Sequence, residues 1–148
     1  MNNSSLLLLS FSVGILVVIQ GGINARLGVL LDSSLLATSA ALIMSASFTL
    51  IAVFMTVREL PSTDQIQSIP AYMWFTGGAL SFLAVTLFYY IIPRIGISTA
   101  VVFGLSGQII FAAIAGHFGW FGMPLEPMTI KKIMGMLVMT LGIILIKY

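Results

Sequence analysis

Gln20 and Asn24 stand four residues apart in VIQGGINARLG, residues 18–28. On a helix that spacing puts both amides on one face, ~6 Å apart along the axis. Each carries donors and acceptors that need partners wherever water is absent. The pair can line a watery path or bond a neighbouring helix, and the residue types admit both. Gln108 sits inside another apolar stretch, FGLSGQIIF, where an unsatisfied amide is costly. It can face a path, or its own mate in a second copy. Trp74, Tyr89 and Tyr90 are further candidates for a substrate path, since one of two adjacent tyrosines can turn inward. Tyr72, Trp74 and Trp120 also suit an interfacial aromatic belt. His117 closes an apolar stretch in AGHFGWFG, either as a helix-ending residue or as a proton relay.

Other chemistry is missing from the pattern. Asp32, Glu59, Asp64 and Glu126 all fall between apolar stretches. No acid inside a stretch offers the raised carboxyl pKa that suits proton exchange, so activity is expected to survive conversion of each acid to its amide. There is no Ser/His/Asp grouping, no carboxylate pair and no phosphate-cradling glycine loop, so no catalytic residue is assigned and an enzyme is not indicated. A lone histidine, without a nearby carboxylate or any cysteine, makes no metal site, and no cofactor is implied.

The elements that must hold these residues follow from composition. Of 148 residues, 59% are hydrophobic and 7% charged, with a mean hydropathy of +1.15. A soluble domain carries about 25% charged residues, so the chain is a membrane protein. The net charge of +2 rests on scattered basic residues, with no patch to bind nucleic acid. The start MNNSSLLLLS lacks a basic region before its apolar run and reads as a retained first helix, not a signal peptide.

A spanning helix needs ~20 mostly apolar residues. Five stretches qualify, at 5–25, 35–57, 72–92, 97–117 and 130–147, which predicts one all-α, polytopic transmembrane domain over 1–148. Pro93-Arg94-Ile95-Gly96 reads as a tight turn, and Arg58 to Ala71 as the longest polar loop. Small residues form stripes that let helix backbones approach: Gly14 and Gly21, Gly77 and Gly78, Gly104 and Gly107.

With five spans, Arg58, Lys131 and Lys132 share a side with the N-terminus, and Arg26, Arg94 and Lys147 share the other. Orientation normally follows a Lys/Arg excess in short cytoplasmic loops, and three against three gives none. Either finer details settle the orientation, or the chain inserts both ways up. In the second case two copies would pair as an antiparallel, inverted dimer of ten helices, a known transporter architecture.

The ordered series Gln20, INARLG at 23–28, Ser47-Phe48, Gly77-Gly78, Pro93-Arg94-x-Gly96, Gly107-Gln108 and HFGWFG at 117–122 resembles a family. Lys132 followed by Gly135, and Gly142 before the last apolar run, also fit. The chain is similar along its whole length to the YdcZ-like five-helix family of bacterial inner-membrane proteins, within the drug/metabolite transporter superfamily. The resemblance implies two five-helix units of inverted topology around a central path for a small-molecule substrate, supplied in some members by a dual-topology homodimer and in others by paired or fused copies; the three-against-three tie is what the homodimer would need. It names no substrate. It extends more distantly to the small multidrug exporters, which rely on a carboxylate in the first helix, and no acid lies in that stretch here. The leading expectation is a small-molecule transporter working by alternating access. A dual-topology channel and a non-transporting accessory subunit are the other two.

Overall fold

A computed structural model describes residues 2–147, and the side chain of Lys147, counted above, lies outside the described part. The described residues form helices and connections, without strands. They run α1 (Asn3–Leu30), α2 (Ser34–Thr56), α3 (Thr63–Ser68), α4 (Ala71–Ile95), α5 (Ile97–Phe118), a 3₁₀ turn (Trp120–Gly122) and α6 (Ile130–Lys147). Helices are what lipid demands, because each backbone N–H must find its carbonyl within the segment.

Among the described residues four helices are long and apolar enough to cross a membrane: α1, α2, α4 and α5. At 1.5 Å per residue the 28 residues of α1 span about 42 Å and the 22 of α5 about 33 Å. The hydrocarbon core is about 30 Å thick. The fifth expected span corresponds to α6, a helix of 18 residues that is not in that group.

Several boundaries differ from the sequence reading, for physical reasons. Helix α1 continues through Arg26 to Leu30, because an arginine at a helix end can reach outward without breaking the helix. Its start is capped by Asn2, whose Oδ1 accepts the N–H of Ser5 at 3.0 Å. The expected turn at residues 93–96 shrinks to Gly96. Pro93 and Arg94 belong to the last turns of α4, where a missing N–H removes one helical bond only. Gly96, with φ of 85°, makes the break in a conformation that favours glycine. The loop after Arg58 contains α3, held by a capping box. Ser62 Oγ accepts the Gln65 N–H at 3.3 Å, and Gln65 Oε1 accepts the Ser62 N–H at 2.9 Å.

The chain divides into two compact units, one ending at Arg94 and the other beginning at Ile95. In the first, α1 and α2 pack closely, and α4 meets them through its side chains. Its core is Ala25, Ala37, Tyr89 and Ile92, with Thr38 also buried. In the second, α5 packs on α6 and on the 3₁₀ turn, with Ala100 and Ile143 buried. Most large apolar side chains of α1, α2, α4 and α5 face outward, the inverse of a water-soluble fold and the expectation where lipid is the solvent.

Candidate functional site

The site of the first unit begins with three small residues. Gly21, Ala25 and Gly28 form the buried stripe of α1, at steps of four and three. A Cβ on Gly28 would lie 3.4 Å from Ser34 Cα and 3.5 Å from the Cβ of Ala37, so the missing methyl allows α2 to come close. A Cβ on Gly21 would lie 2.9 Å from the ring of Phe88 on α4. These approaches bring polar groups of different helices together. Asn24 Nδ2 donates to the Tyr89 hydroxyl at 2.9 Å, and Tyr89 is only 2% exposed. One turn along α4, the hydroxyl of Thr86 lies 3.1 Å from that of Thr38, itself 1% exposed. Every fully buried side-chain polar atom among the described residues has a partner, as a dry setting requires.

Tyr90 turns the other way. Its ring carries the Arg94 guanidinium, whose central carbon lies 3.4 Å from the ring centroid. Arg94 Nη1 also donates to the Tyr90 carbonyl. The stacking and this bond fix the guanidinium while using one of its five N–H donors. Across the same end of the unit, the link between α1 and α2 places Asp32 at φ 50°, a left-handed conformation that aspartate and asparagine adopt more readily than other non-glycine residues. Its N–H reaches the Val29 carbonyl at 3.3 Å. Its carboxylate has no partner among the described residues. Ser33 caps α2 by accepting the N–H of Leu36 at 3.3 Å.

Together these residues line a cavity of about 580 Å³, with Asp32, Ser33, Ser34, Tyr89, Tyr90 and Arg94 as its polar lining and Val29, Leu35 and Pro93 as its apolar lining. That volume falls within the ~300–1,000 Å³ of small-molecule sites. Gln20 lies two helical turns deeper than Gly28, about 12 Å along α1, exposed and without a partner among the described residues.

The second unit has a smaller groove of about 370 Å³ between α5 and α6, walled by Ala112, Ala113, Gly116, Gly135, Met136 and Met139. Glu126 and Lys132 stand at its edge as an ion pair of 2.9 Å. The Glu126 N–H donates to the Gly116 carbonyl at 2.8 Å. His117 ends α5 and accepts the N–H of Met128 through Nδ1 at 3.1 Å, which ties the connection back to the helix. Gly119, at φ 62°, terminates α5 in the left-handed conformation glycine favours.

The candidate residues therefore part company. Asn24 and Tyr89 are brought together, and Tyr89 and Tyr90 both line one cavity. Gln20, Trp74 and Gln108 are exposed on their helices. Of the packing glycines, Gly21 meets Phe88, whereas Gly14, Gly77, Gly78 and Gly107 have open space where a side chain would be, and Gly104 is exposed. Asp32, Arg94, Thr38 and Thr86 were not among the candidates. The signal for Thr38 was available, since it follows Ser34 by one helical turn. Asp32 reads as a connection residue because it does lie in one; only the meeting of three helix ends turns that connection into a wall.

Residues 5–145 match the family model described as "Putative inner membrane exporter, YdcZ". Comparison with curated proteins and with solved structures gives no match. The match and the four long apolar helices make this a multi-pass inner membrane protein, of the membrane transporter kind. The match covers nearly the whole sequence, and the chain belongs to the YdcZ family of inner membrane proteins, described as exporters.

Proposed function

We propose that the protein moves a small molecule across the inner membrane by alternating access, as an antiparallel homodimer with five spans per copy. The observation that carries this reading is the polar column of the first unit: a cavity at the helix ends, then the Asn24–Tyr89 bond, then Thr38 with Thr86, on helices otherwise made for lipid. Intramembrane polar groups are costly and usually mark a path.

Three features favour five spans and a second copy. Helix α6 is about 27 Å long, close to the thickness of the hydrocarbon core, and Lys131 and Lys132 lie in its first turn, where long side chains can reach the headgroups. Gln20 and Gln108 lie exposed on apolar helices without partners among the described residues. A second copy gives them somewhere to go. In an inverted pair, mid-depth residues of both copies lie at the same depth, so Gln108 can meet its mate near the two-fold axis. The three-against-three distribution of basic residues is what insertion in both orientations needs.

Reconstituted flux tests the proposal. Purified protein in liposomes, screened against a library of labelled metabolites and drug-like compounds, should carry at least one solute with saturable kinetics and counterflow. Flux without saturation or counterflow would indicate a channel. No flux from the whole library would favour an accessory subunit.

A further inference from the structure

The cavity of the first unit holds two opposite charges that do not neutralise each other. Arg94 and Asp32 both line it, yet the ion pair formed among the described residues is Lys132 with Glu126, elsewhere in the chain. Arg94 is held in place by the Tyr90 ring and carbonyl, with most of its donors unused. The Asp32 carboxylate, in the same cavity lining, is an unused acceptor on a residue with left-handed backbone. The Tyr89 hydroxyl accepts from Asn24 and keeps its own proton to donate. Val29 and Leu35 add apolar surface to the same lining.

We propose that this cavity binds a small zwitterion: an ammonium group and an oxyanion carried on one apolar body, of the amino-acid type. The oxyanion meets Arg94 through paired N–H donors, and the Tyr89 hydroxyl adds a third. The ammonium meets Asp32. A purely cationic ligand would leave Arg94 facing it with like charge, and a purely anionic one would do the same at Asp32. A ligand with both charges satisfies both residues. That this occupant is cargo rests on the transport reading above; its charge type rests on the cavity alone.

Both sources of such chemistry, a free solute and a zwitterionic lipid headgroup, can be separated in one experiment. The full-length protein is placed in nanodiscs of either phosphatidylglycerol or phosphatidylethanolamine, and equilibrium binding of radiolabelled leucine and phenylalanine is measured. Phenylalanine methyl ester, which lacks the carboxylate charge, and N-acetylphenylalanine, which lacks the ammonium, serve as competitors. Each charge-assisted contact is strong enough that either analogue should compete at least ~10-fold more weakly than phenylalanine itself. Arg94→Gln and Asp32→Asn should each weaken phenylalanine binding by a similar factor while eluting as the same species on gel filtration. The analogue series needs no variant, so misfolding of either cannot mask the answer. Equal binding in both lipids identifies a free solute; loss of binding only in phosphatidylethanolamine identifies the headgroup as the competing occupant, and both keep the zwitterion. An ester or an N-acetyl analogue binding as tightly as phenylalanine would overturn the proposal, as would no binding of either amino acid up to about 10 mM. Binding without any flux would leave the site standing and remove the transport reading. Flux of another solute without zwitterion binding would do the reverse.

Discussion

Removing the Tyr89 hydroxyl should loosen the first unit by a measurable and separable amount. Tyr89→Phe keeps the ring against its neighbours and deletes only the acceptor that Asn24 Nδ2 reaches at 2.9 Å. Asn24→Leu deletes the donor while keeping the number and branching of side-chain heavy atoms. A hydrogen bond contributes about 1 kcal/mol net in water-soluble proteins. Within membrane bundles measured couplings average about 0.6 and reach about 1.7 kcal/mol, because the unfolded chain in lipid finds other partners. Tyr89 is 2% exposed, and Asn24 is half-buried. So competing partners are scarce, and the pair should sit in the upper part of that range, near 1 kcal/mol. Each single variant should destabilise by roughly 1–2 kcal/mol, since each leaves a polar group without its mate. The double variant should cost less than the two summed, by about 1 kcal/mol, or ~5-fold in the unfolding equilibrium. Reversible unfolding of the full chain in mixed micelles, followed by circular dichroism, gives all four corners of the cycle. A coupling within ~0.3 kcal/mol of zero would mean that this bond does not hold α1 to α4, and the polar column would lose its central link.

Three further perturbations have distinct outcomes. Gly28→Leu should force α1 away from α2, where even a Cβ would meet Ser34 Cα at 3.4 Å; overpacking of this kind costs about 1–3 kcal/mol, read as a lower midpoint in the same unfolding assay. Gln108→Leu should abolish flux while insertion and expression stay normal, and normal flux would reassign Gln108 to an incidental place on the helix. Glu126→Gln should change stability by less than about 1 kcal/mol, because its ion pair with Lys132 is largely solvent-exposed, and it should retain flux, unlike Asp32→Asn.

The helices were legible in the sequence because lipid imposes a simple rule of length and apolarity, and α2, α4 and α5 fall within three residues of their expected bounds at each end. The ends were less legible. A reading that stops at the first charge cuts α1 short at Ala25, although Arg26 can point outward from a helix that continues. Pro93 suggested a turn, yet near the end of α4 its missing donor costs a single bond. The S-x-x-Q pattern at Ser62 to Gln65 announced α3 and went unread within a polar loop. At the site, spacing alone could pair Gln20 with Asn24 on one face, but not say which amide finds a partner. That depends on α4 approaching over Gly21, a contact between residues 67 apart in the chain (21 and 88). For the same reason Asp32 looked dispensable beside Glu59, Asp64 and Glu126. No local pattern shows that it shares a cavity with Arg94.

The central claim, that two inverted copies form the transporter, is tested most directly by the sidedness of the termini. The native chain has no cysteine, so one placed at Ser4 or appended after the last residue reports alone. An impermeant thiol reagent applied to intact cells expressing an active variant should label part of the population at each end, with the remainder labelled only after permeabilisation. Lysines appended at the C-terminus should hold that end inside, and lysines added around Ser62 to Gln67 should favour the opposite orientation. Each biased variant should be inactive alone and active when the two are co-expressed. Labelling at one terminus only, with full activity, would contradict the inverted homodimer.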